Sequence, residues 1–127
     1  MGDRAVIGFK AKRDSVPVFL YSHWGGSDRY RDLQRALVAS QPRWNDPDYA
    51  TRIAISQIIG NYWTEETGFG ISAGENSFSK PDYNDVPVVI WDEQVVVVVN
   101  AEDSTTIRTM ALPPEMSFQD FLALVHV

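Results

Sequence analysis

Cysteine is absent from the 127 residues, which excludes structural disulfides, thiol nucleophiles and thiolate metal sites together. Histidine is nearly absent: His23 and His126 are far apart, and no His-Glu-Xaa-Xaa-His pattern joins them. No metal site and no cofactor is expected on that basis. Long apolar runs are missing too. The longest, Val95 to Val99, is a quarter of the roughly 20 residues that a bilayer-crossing helix needs, so no membrane span is expected. Met1-Gly2-Asp3-Arg4 leads straight into Ala5-Val6-Ile7, which reads as neither a secretory leader nor a myristoylation signal. The glycines of 67–74 lack a Gly-Lys-Ser/Thr ending and do not form a phosphate loop.

Positive charge is scarce, and what there is lies early in the chain. Eleven Lys and Arg face seventeen Asp and Glu for a net charge of -6, which argues against non-specific coating of duplex DNA. Residues 1–60 carry +3 and residues 61–127 carry -9. A fold that separates these halves would offer an anion one receptive face, although each half could equally be an ordinary solvated surface. With 44% hydrophobic and 22% charged residues, the composition is that of one compact domain over 1–127.

The periodicities predict an α+β domain with a mostly antiparallel sheet, two central helices and a C-terminal helix. Strands are expected over 4–11 and 16–21, joined by a turn too short for a parallel return. Pro17, which lacks an N–H, belongs at the start or outer side of the second strand. A helix over 28–40 sets Tyr30, Leu33, Leu37 and Val38 on one stripe, with Ser27 as its cap. Asp46-Pro47-Asp48 opens a second helix that runs to Tyr62 or Trp63 and buries Tyr49, Ile53, Ile59 and Trp63. A short strand is possible in 67–74, and 76–85 reads as a polar loop. Strands over 86–91 and 95–100 form a hairpin, a further strand spans 105–111, and Ser117 caps a final helix docked by Phe118, Phe121, Leu122 and Val125. The unbroken apolarity of Val95 to Val99 suggests cover on both faces, by the polar loop as a lid in a monomer or, as expected here, in a homo-oligomer that packs on this strand or extends the sheet from it.

The candidate chemistry gathers at the break after the second strand. His23 stands where a strand gives way to a helix and could move a proton near neutral pH. Gly25 and Gly26 leave Trp24 room to turn outward. Trp24, Tyr21, Trp44 and Trp63 could furnish aromatic walls that stack a planar ligand, though closing the core is the simpler role for Trp63 and Trp44. Ser27 and the first amides of the helix, with Arg29, Arg31, Arg35, Arg43 and Arg52, could receive phosphate or carboxylate. Asp28 and Asp32, each three residues before an arginine, could instead hold Arg31 and Arg35 in a surface network. The ligand-binding set is therefore His23, Trp24, Gly25, Gly26, Ser27, Arg29, Arg31 and Trp44, with Trp24 and Arg29 at the mouth of a pocket. No coherent nucleophile, base and electrophile appears, so no catalytic residue is assigned. The pairs Glu65-Glu66, Asp92-Glu93 and Glu102-Asp103 read as surface turns.

The block Tyr21-Ser22-His23-Trp24-Gly25-Gly26, the Arg-rich helix behind it, Arg43-Trp44 and the Asp46-Pro47-Asp48-Tyr49-Ala50 helix start resemble small uncharacterised accessory proteins of actinobacterial bacteriophages and prophages. The likeness covers much of the N-terminal half and extends to Glu66-Thr67-Gly68-Phe69-Gly70-Ile71. It implies a viral accessory role in the host cytoplasm, with a host or phage protein as partner. A non-catalytic binding protein is the first expectation. A homo-oligomeric sponge for a nucleotide or small anion is the second, and a small hydrolase or nuclease the third.

Overall fold

The structure, a computed structural model, describes residues 4–74, 85–99 and 113–125. In chain order the elements are β1 (Ala5–Lys10), β2 (Val18–Ser22), α1 (Arg29–Ser40), α2 (Pro47–Ile59), β3 (Phe69–Ala73), β4 (Val86–Ile90), β5 (Val95–Val99), β6 (Glu115–Ser117) and α3 (Phe118–Leu122). Short 3-10 turns, Gln41–Arg43 and Gly60–Tyr62, follow α1 and α2. The α+β class and the mostly antiparallel sheet stand as expected. The strand order is β3-β2-β1-β4-β5-β6, and one neighbouring pair, β1 with β4, runs parallel. Pro17 ends up just outside β2, where its carbonyl accepts from the Gly74 N–H at 3.1 Å.

Strand alternation divides the apolar residues between two faces. Ile7, Phe9, Leu20, Val89, Trp91 and Val96 meet Leu33, Leu37, Ala50, Ala54, Ile55 and Ile59 of α1 and α2 in the larger core. Val6, Phe19, Val86 and Val88 form a smaller buried cluster on the opposite side. At the centre of the larger core Trp91 stacks on Phe9 with ring centroids 6.2 Å apart and meets the ring of Phe118 edge-on at 5.8 Å. Its indole N–H donates to Thr51 Oγ1 at 2.9 Å, so a fully buried tryptophan has no unmet donor.

Several expectations need correction. Val95 to Val99 is bonded to β4 on one side and to β6 on the other, so the sheet cannot be extended from this strand. The N-cap of α1 is Asp28, without a side-chain cap bond, and Ser27 lies exposed outside it. α2 ends at Ile59, where Gly60 takes φ +62°, so Trp63 lies beyond the helix and is half exposed, as is Tyr49 within it; Ile59 is buried as expected, with Ala50, Ala54 and Ile55. Val38 and Val125 also face solvent. Ser117 does cap α3, its Oγ accepting from the Asp120 N–H at 3.1 Å, and Phe118 and Phe121 are buried. The strand expected over 105–111, together with His126, Glu102 and Asp103, lies outside the described residues.

Candidate functional site

The turn from Ser22 to Asp28 connects β2 to α1 and holds most of the predicted site residues. Its geometry begins with a glycine: a Cβ on Gly25 would lie 2.5 Å from Ser22 Oγ and 3.1 Å from Ser22 Cβ, so a side chain here would have to displace the serine. Gly25 O then accepts from the Asp28 N–H at 3.3 Å, which leads into α1.

His23 extends the β2 ladder by one bond, its N–H donating to Gly68 O at 2.9 Å. Its ring Nδ1 is hydrogen-bonded to the Tyr21 hydroxyl at 2.9 Å. Trp24 stands perpendicular to that ring at 4.5 Å between centroids. Gly68, at φ +102°, lies beneath the indole, where a Cβ would come within 3.3 Å of the six-membered ring. Trp24 is thus braced from two sides yet remains 66% exposed. In the sequence Gly68 was missed as a site residue, and Tyr21 was read as an aromatic wall and not as the partner of His23. Period-two spacing from His23 to Tyr21 and the glycine cluster of 67–74 were the signals for them.

Arg29 is committed to the main chain. One Nη donates to Gly26 O, Nε donates to Asp85 O at 3.2 Å, and the guanidinium lies 4.6 Å from the centroid of the Tyr30 ring. It ties the turn to the residue before β4, which the sequence separation of 56 hid. Arg31 pairs with Asp28 at 3.5 Å and Arg35 with Asp32 at 3.7 Å, the expected i,i+3 network. Burial and the neighbouring Asp28 push the Asp32 carboxyl above its ordinary range, against the smaller pull of Arg35 and Arg31.

Trp44 is not part of this turn. It lies past the far end of α1, about 18 Å along a helix of 12 residues. Its indole N–H donates to Leu37 O at 3.0 Å, and its ring meets Phe118 edge-on at 4.8 Å. Arg43, at the same end, sits 5.0 Å from the Tyr49 ring centroid. The structure therefore brings together His23, Trp24, Gly25, Gly26, Ser27, Arg29 and Arg31, and leaves Trp44 to packing.

Chemically, a histidine aligned by a tyrosine hydroxyl is half of a base-and-orienter pair. Among the described residues Tyr21 is its one side-chain hydrogen-bond partner, with no serine, threonine or carboxylate on the ring. Among the same residues no group of three or more His, Asp or Glu gathers to hold a metal ion. What the turn presents is an aromatic surface on rigid backing. Comparison of the chain with protein-family models, with curated proteins and with solved structures returned no match.

Proposed function

We propose that this chain is a phage accessory protein that binds a host or phage protein in the host cytoplasm without catalytic turnover, using the Trp24 turn as its contact. The observation that carries the reading is Trp24 itself, two-thirds exposed and set against the His23 ring and Gly68. A large apolar side chain that is already ordered loses little rotamer freedom on binding, which is why such aromatics dominate protein interfaces. Arg29 already gives two of its five N–H groups to the carbonyls of Gly26 and Asp85, so only part of its fork is left for a nucleotide or anion, and the turn offers its aromatic face more fully than its charge. The N-terminal resemblance supports the viral setting.

A photo-crosslinking residue at position 24, with the same residue at exposed Gln119 as control, tests the reading in the native cell. A single protein captured from position 24 alone, whose purified form binds the wild type at least about tenfold more tightly than Trp24→Ala, is the expected result. Equal affinity for both forms overturns it.

A further inference from the structure

Among the described residues β3 is one edge of the sheet. The bonds at its two ends show which way its main chain faces. His23 donates to Gly68 O and Gly74 donates to Pro17 O, and both pairs continue the register Tyr21↔Gly70 and Phe19↔Ser72. In an antiparallel ladder, bonded pairs alternate with unbonded ones. Gly68, Gly70, Ser72 and Gly74 therefore turn their main chain toward β2, while Phe69 and Ile71 turn N–H and C=O outward. No described strand meets them there. Ala73 shares their parity but is engaged in another interaction.

Among the described residues the two edges of the sheet, β3 and β6, are protected very differently. β6 is a three-residue strand that follows Pro113 and Pro114, and its Glu115 is ion-paired to Arg13 at 3.0 Å. Short length, proline and charge are the usual means of keeping an edge from pairing. Phe69-Gly70-Ile71-Ser72-Ala73 has none of them. Ile71 is 55% exposed, and Tyr62, at 62%, sets its ring 6.5 Å from that of Phe69, so apolar surface accompanies the open main chain.

We propose that β3 is a homodimer seam in which two copies pair antiparallel about a two-fold axis at Gly70, joining two sheets into one. This register sets Phe69 against the partner's Ile71. Their main-chain groups both face outward, so each such pair exchanges both bonds. The axis falls on an unbonded pair, where the closest approach of the strands, about 4.5 Å between Cα atoms, meets only glycine. Phenylalanine opposite isoleucine is a favourable cross-strand pair, and the closed two-fold leaves no seam open for a third copy. A register about Ile71 would need Ala73, which is already engaged. The inference goes beyond the reading of Trp24 and stands or falls separately from it.

The absence of native cysteine allows a direct test on the full chain. A Cβ at Gly70 has no atom within 4 Å, so Gly70→Cys is accommodated, and two such residues across the axis meet the Cα spacing of a disulfide. Two Ser72→Cys residues would be roughly 14 Å apart along the strands. Under mild oxidation at equal concentration, Gly70→Cys is expected to give covalent dimer at least about tenfold faster than Ser72→Cys. Sedimentation of the unmodified chain is expected to show a concentration-dependent dimer. Ile71→Pro removes one outward N–H and leaves the β2 ladder intact, so it should raise the dimer dissociation constant about tenfold. Ile71→Lys serves the same purpose where circular dichroism shows that the proline perturbs the fold. A chain that stays monomeric to about 100 μM, equal cross-linking of the two cysteine variants, or unchanged dimerisation of folded Ile71 variants overturns the proposal.

Discussion

At the level of single residues, Trp24 and Arg29 differ in what the fold asks of them. Trp24→Ala removes a side chain that mostly faces water, so its urea midpoint should shift by less than about 1 kcal/mol of stability while partner binding is lost. Arg29→Ala unmakes two bonds to main-chain carbonyls that join the turn to the residue before β4, and should cost about 1–3 kcal/mol in the same measurement, with or without a ligand. An Arg29 variant as stable as the wild type would refute the clamp. The difference also marks what could be read from sequence. The glycines at 25 and 26 and the exposed-aromatic possibility at Trp24 follow from local chain chemistry. The commitment of Arg29 does not, because its acceptor Asp85 lies in another part of the chain and a carbonyl has no signature in the sequence.

Among elements, the turn after β1 and the turn between β4 and β5 are held together by one ion cluster. Arg13 grips Glu93 through Nε at 3.0 Å and Nη2 at 2.8 Å and reaches Glu115 on β6 at 3.0 Å. The guanidinium holds the Glu93 carboxyl below the usual carboxylate range. A lowered folded-state value means stability that is present above the unfolded value and fades as the pH falls through the lowered one. The melting temperature of the wild type should therefore drop more on acidification through this range than that of Glu93→Gln, and the difference should shrink in high salt because the groups are exposed. Identical pH profiles would show that the cluster contributes nothing. Trp91→Ala, by contrast, empties the centre of the core and should cost about 3–5 kcal/mol at any pH. Helix starts such as Asp46-Pro47 and the hairpin 86–99 were legible because their signals are local. The exposure of Tyr49 was not, since the broad apolar surface of α2 exceeds what the sheet covers and only packing decides which part is left outside, and that of Trp63 follows from the end of α2 at Ile59.

For the whole molecule, the decisive pairing is parallel. β1 and β4 meet through Gly8↔Val88, Phe9↔Val89 and Lys10↔Ile90 in the middle of the sheet. Amide exchange should be slowest at β1 and β4, with Phe9 and Val89 buried beneath the helices, and fastest at the outward amides of β3 in a monomeric variant. The reverse order would place the stable nucleus elsewhere. Antiparallel hairpins could be inferred from short turns, but no local pattern tells a strand which distant segment will lie beside it.

That central pair also bears on how the protein is made. β1 is made before both of its neighbours and can pair with β2 soon after, but its other edge must wait until residue 90 has been added. At 5–20 residues per second the wait is roughly 4–16 s. Throughout it, the nascent chain carries an apolar strand, Ala5-Val6-Ile7-Gly8-Phe9, with one side unsealed, so polysomes translating this message hold adhesive intermediates until β4 has followed.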